Sequence, residues 1–214
     1  TLIKLALFLA IIVALIFAAG KIYQSWDDDP DRGAVAISNS PTGENYATPK
    51  YLDQGWSESE SLWFYNTTQG SGLIPYDFFL ALEQAESTEL LRANTVMDNF
   101  RYLPQKPTFF NPDGLAVGFV KESYQGKDYV GYTCAACHTG QVNYKGQALR
   151  IDGGPAMADM VGFLTALEKA MKATQADAQK RDRFVQAVLA RDNSYSSADE
   201  VTKDLAKWTN TIIL

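Results

Sequence analysis

Residues Thr1 to Gly20 form an unbroken apolar run, TLIKLALFLAIIVALIFAAG, carrying a charge only at Lys4. About 20 helical residues rising ~1.5 Å each span a hydrocarbon layer of ~30 Å, so the run predicts a membrane-crossing helix. The run has no polar face, which counts against a buried core helix. A cleavable signal peptide competes, because Ala18-Ala19-Gly20 resembles a small-residue cleavage site. The expectation is a retained anchor over residues 1–24, since the chain opens on Thr1 rather than Met and still carries the run. Lys4 puts the N-terminus on the cytoplasmic side under the positive-inside tendency. Tyr23 and Trp26 then suit the far interface, with Asp27, Asp28, Asp29 and Asp31 beyond it. The remaining chain would face the periplasm from the inner membrane.

Polar residues broken by Pro30, Gly33, Pro41, Gly43 and Pro49 mark residues 25–55 as a linker or an irregular wrapping arm. A domain over residues 56–214 follows. Ser57 or Ser59 caps a short helix running to Thr67, ended by Gly70 and Gly72. Helices are predicted from Tyr76 to about Ala85 and from Ser87 to about Phe100. Pro104, Pro107 and the turn Asn111-Pro112-Asp113-Gly114 then stop helical periodicity. Leu115, Val117, Phe119, Tyr129 and Val130 suit short strands, and Lys145-Gly146 the turn of another hairpin. Pro155 fits the first position of a helix whose stripe is Met157, Met160, Val161, Leu164, Leu167 and Met171. One more helix covers Ala176 to Arg191. The last starts at a Ser197/Glu200 capping box and carries Val201, Leu205, Trp208 and Ile212 to the end. A helix without a stop predicts further chain beyond Leu214. The fold class expected is mainly α, with irregular loops and short β-hairpins behind an N-terminal transmembrane helix.

A hydrophobic content of 46% and aromatics at 12% support a sizeable core in 214 residues. The net charge of -6 and the lack of a basic cluster argue against nucleic acid as a partner. An acidic surface can dock on a basic partner, or be the ordinary condition of a soluble domain.

Two cysteines and one histidine are present, and they stand together in Tyr132-Thr133-Cys134-Ala135-Ala136-Cys137-His138. C-x-x-C-H is the attachment signature of c-type haem. Thiols three residues apart on one helical turn reach both vinyl groups of a porphyrin, and the adjacent imidazole meets the iron. A structural zinc site needs four ligands where the chain's Cys and His supply three. A thioredoxin-like dithiol leaves His138 unexplained and lacks a βαβ context. A plain disulfide does not explain why the sole histidine adjoins the pair.

With no second histidine in the chain, the other face of the iron is open or held by a donor such as Met. Met157 and Met160 lie nearest downstream, although Met on an apolar stripe is also ordinary core filling. Arg150 is a candidate partner for a haem propionate, or else a surface arginine. Trp56, Trp63 and Phe64 pack on the porphyrin or in the core.

The segments Tyr132–Gln141 and Arg150–Ala156, with Trp63–Gly70 and Leu73–Glu83 upstream, resemble the first haem segment of dihaem cytochromes related to bacterial cytochrome c peroxidases. The branch they resemble most contains the haem-dependent rubber oxygenases, over roughly residues 50 to 175. The resemblance implies that Cys134, Cys137 and His138 bind one haem c and its iron in a mostly helical domain. The chain departs from it in lacking a second C-x-x-C-H. The function expected is therefore electron transfer to or from a redox protein or respiratory complex at the membrane. A peroxidase-like or oxygenase-like enzyme with an open distal site is the alternative.

Overall fold

The computed structural model describes residues 2–27, 32–43, 45–191 and 195–211. The expected interfacial side chains of Tyr23 and Trp26, the acidic run from Asp28 to Asp31, and Ile212 lie outside what is described. Helix α1, Leu2–Asp27, contains a span from Ile3 to Ile22 that is long and apolar enough to cross a membrane, none of it buried.

Residues 32–55, expected as a linker or wrapping arm, lie against the domain. Ala34 bridges to Gln105 and Ile37 to Asn45. Strand β1, Lys50–Tyr51, then pairs in parallel with β6, Gln147–Asp152, aligning Tyr51 with Arg150. Ser57 starts α2, Glu58–Asn66, through the capping box that its spacing to Glu60 allows. The Ser57 hydroxyl accepts from the Glu60 amide, and the Glu60 carboxylate accepts from the Ser57 amide.

Strand β2, Ile74–Pro75, leads into α3, Tyr76–Ala81. α3 starts where expected and ends early, because Leu82 turns extended and Glu83 bridges to Leu90. The helix expected from Ser87 is correspondingly reduced to α4, Asn94–Asn99. Leu115 and Val117, expected in strands, are buried in an irregular segment ahead of the first long strand.

Two hairpins come next. Strands β3, Phe119–Tyr124, and β4, Lys127–Tyr132, reverse at Gln125-Gly126. Strands β5, Thr139–Tyr144, and β6 reverse at Lys145-Gly146, as expected. Both two-residue turns have positive φ throughout, the conformation that matches strand twist and that glycine accepts readily. The sheets are ordered β2-β4-β3 and β1-β6-β5. With about 44% of the chain helical and two three-stranded sheets, the architecture is mixed α/β rather than mainly α. The short hairpins are as expected.

Helix α6, Met160–Ala176, does not begin at Pro155. Asp159 caps it by accepting from the Gly162 amide. Phe163, Leu167, Ala170 and Met171 are buried, Met157 is exposed ahead of the cap, and Val161 is exposed on the helix. Four of the six residues of the expected stripe, Met160, Leu164, Leu167 and Met171, therefore meet the core. Asp177 caps α7, Ala178–Leu189. In α8, Ala198–Thr211, the Ser197 hydroxyl accepts from the Glu200 amide, but the Glu200 carboxylate reaches Ser196 instead of Ser197. The main core joins these pieces: Phe119 stacks on Phe79 and meets Phe163 edge-on, while Val188, Val201 and Leu205 close the helical side.

Candidate functional site

The chain segment between the hairpins is a four-residue helix, α5, Ala135–His138, with Cys134 at its N-cap. The His138 amide donates to the Cys134 carbonyl at 3.0 Å, closing one helical turn. Ala135 packs with Tyr65 and Val117, and Ala136 joins the main core. Cys134, Cys137 and His138 are exposed, and both thiols are free. Spacings of three and four put them on one helical face.

Neighbouring backbone fixes this turn. Gly118 has φ of +95°, and a Cβ there would come within 2.2 Å of Ala136 Cα, so only glycine lets the short helix seat so close. The Thr133 amide donates to the Gly118 carbonyl at 2.9 Å. At the other end, the Gly153 amide donates to the His138 carbonyl at 2.7 Å and the Ala156 amide to the Cys137 carbonyl at 2.8 Å. The carbonyls that a helix end leaves open are thereby satisfied.

The hydroxyls of Thr133 and Thr139, which flank the turn, are buried with no hydrogen-bond partner among the described residues. Thr139 also lines a cleft of about 310 Å³ with Asp98, Arg101, Leu103, Gln141 and Met157. Arg101 holds φ of +60° at its rim, a left-handed conformation uncommon for arginine. Asp98 accepts from Asn45, and burial raises its pKa. The Tyr102 and Tyr132 hydroxyls meet at 3.4 Å. Burial is the main cause pushing Tyr102 up to about 12 and Tyr132 higher still, with nearby Cys137 adding to both.

A second polar cluster lies under β6. Asp152 accepts from Arg32 at 2.8 Å and from the Tyr65 hydroxyl at 2.6 Å. The Arg32 guanidinium stands 3.9 Å over the Tyr51 ring. Arg150, with 1% exposure, donates through Nε and Nη2 to Gln141 Oε1 and through Nη1 to the Tyr51 hydroxyl. Burial raises the pKa of Tyr51, against the opposing charges of Arg150 and Arg32.

The expected residues thus separate into groups. Cys134, Cys137 and His138 come together. Met157 stands at the cleft with 63% exposure, whereas Met160 packs against the core. Arg150 sits behind the cleft, bonded to its Gln141 lining. Trp56 meets Phe64 edge-on and Trp63 points to solvent. Arg32, Asp152, Arg101, Tyr102 and Thr139 were not singled out by sequence reasoning. The one usable hint was Asp152 itself, in the Arg150–Ala156 segment beside two glycines. Among the described residues, no three His, Cys, Asp or Glu side chains converge as an ion site.

No family model matches the chain, and no solved structure matches it. It is similar to uncharacterized protein y4iJ of Sinorhizobium fredii, with 32% identity over 179 residues covering 73% of this chain. The match spans 28% of that protein's length.

Haem c has donors of the right kind in the described residues. Free thiols and an imidazole share the outer face of one turn, and the flanking threonine hydroxyls lack partners among the described residues.

Proposed function

We propose that the chain is an exported c-type cytochrome, held in the inner membrane by α1 with its domain in the periplasm, that passes electrons to or from a redox partner. The observation carrying this reading is the division of α5: Ala135 and Ala136 face the core while Cys134, Cys137 and His138 face outward. Cys134 and Cys137 would hold the porphyrin through their sulfurs, and His138 would hold its iron. When bound, haem c supplies a one-electron Fe(III)/Fe(II) couple. The backbone bonds at Gly118, Gly153 and Ala156 hold the three donors in place before the group arrives. Met157 is the methionine that would be available to the iron, since Met97 and Met171 are fully buried and Met160 is packed. Thr139 and Arg101, which line the same cleft as Met157, would receive a propionate.

This reading is tested by producing the chain in a host that matures such cytochromes. A Soret band that survives denaturation and a mass raised by one porphyrin are expected, and Cys134→Ala with Cys137→Ala should abolish both. A chain with unmodified mass and no Soret band overturns it. In the reduced protein, slow CO binding that becomes fast in Met157→Ala assigns the distal ligand.

A further inference from the structure

We infer that the face around Arg32 rests on the bilayer surface, with Trp63 and Phe110 in the headgroup layer. The inference rests on the reading of α1 as an anchor. Only five Cα steps separate Asp27, the last residue of α1, from Arg32. At about 3.8 Å per step, Arg32 stays within roughly 19 Å of the helix end, whatever the path.

Arg32 is not a free tether. Its guanidinium pairs with Asp152 and covers Tyr51, its carbonyl accepts from Gln105, and the neighbouring Gly33 carbonyl accepts from the Lys106 amide. The face of the domain nearest the membrane is therefore the one that carries Arg32. A shallow cleft there is lined by Arg32, Leu62, Asn66 and Phe110. Phe110 is 46% exposed, beside Phe109 at 53%. Trp63, next to Leu62 on the outward side of α2, is 75% exposed. Tryptophan is favoured at the headgroup level, where it buries its ring and keeps its N–H wet, and an exposed phenylalanine gains by leaving bulk water. Short tethering raises the local concentration of lipid at this face, so a weak contact becomes a populated one.

The test uses the full chain in nanodiscs of phosphatidylcholine and phosphatidylglycerol, with and without spin-labelled phosphatidylcholine. Indole N–H signals are compared between the two preparations. Trp26, in the last turn of α1, reports the anchor. Trp208 on α8, packed on Tyr129, is the internal reference. The expected result is loss of the Trp63 signal along with Trp26 and retention of Trp208. Phe109→Ser with Phe110→Ser should restore the Trp63 signal and leave Trp26 broadened. If Trp26 is lost while Trp63 persists, the anchor stands and this face is directed elsewhere. Equal loss at Trp63 and Trp208 also overturns the inference. A Trp26 signal untouched by the label removes the anchor reading itself.

Discussion

The two hairpins that flank the motif share a design and, Glu122 of the first apart, bury different chemistry. Each has six-residue strands and a two-residue turn, with φ of 50° and 76° at Gln125-Gly126 and of 49° and 77° at Lys145-Gly146. The first hairpin buries Phe119, Val130 and Tyr132 in the aromatic core. The second buries Arg150 and Asp152, whose partners come from the N-terminal arm, α2 and β5. Turn chemistry thus dictates where the chain reverses, and long-range packing dictates what each strand covers. The Cys134–His138 turn is braced by an apolar block on one side and a charged lattice on the other. The apolar block is non-directional and tolerates small shifts, whereas the charged lattice fixes register through individual bonds.

The severest test of the apolar side is Gly118→Ala. Its Cβ would enter backbone atoms of α5 at a positive φ, so loss of the cooperative thermal transition, or destabilisation above about 4 kcal/mol, is expected. A stable Gly118→Ala protein would show that the turn does not depend on this approach. On the charged side, Arg32→Ala leaves Asp152 buried with only the Tyr65 hydroxyl. Breaking a fully buried pair costs about 3–5 kcal/mol, and a partly exposed Arg32 reduces the expectation to about 1–3 kcal/mol, read by denaturant melts. A cost near zero would mean that the lattice contributes geometry without stability. The smallest effect is confined to alkali. Tyr102 is held protonated in the folded state up to about 12, above its unfolded value near 10. Its contribution is complete below pH 10 and falls as pH rises through about 12. Tyr102→Phe should flatten that decline while leaving neutral stability nearly unchanged; a parallel decline in both proteins refutes the assignment.

Local signals were readable where one side chain decides the backbone. Ser57 capped α2, Lys145-Gly146 turned the second hairpin, and Tyr76 began α3. The stripe on α6 was legible in four of its six residues; Met157 precedes the Asp159 cap and so lies outside the helix, and Val161 is exposed on it. The helix expected from Ser87 lost its first turns to the extended pairing of Glu83 with Leu90, a tertiary constraint that propensity does not record. A two-residue strand such as β1 carries no period to detect. For the candidate site, the donors Cys134, Cys137 and His138 stood in sequence order. Arg32 and Asp152 meet across 120 positions, and no spacing rule joins them.

The parallel rung between β1 and β6 joins residues 99 positions apart. Closing a loop of that size is entropically expensive until both partners exist, so the rung forms late, after β6 has emerged. The two hairpins need only nearest neighbours along the chain and can precede it. The Cys134–His138 turn would accordingly stand on a preassembled local platform while the arm is still unlatched.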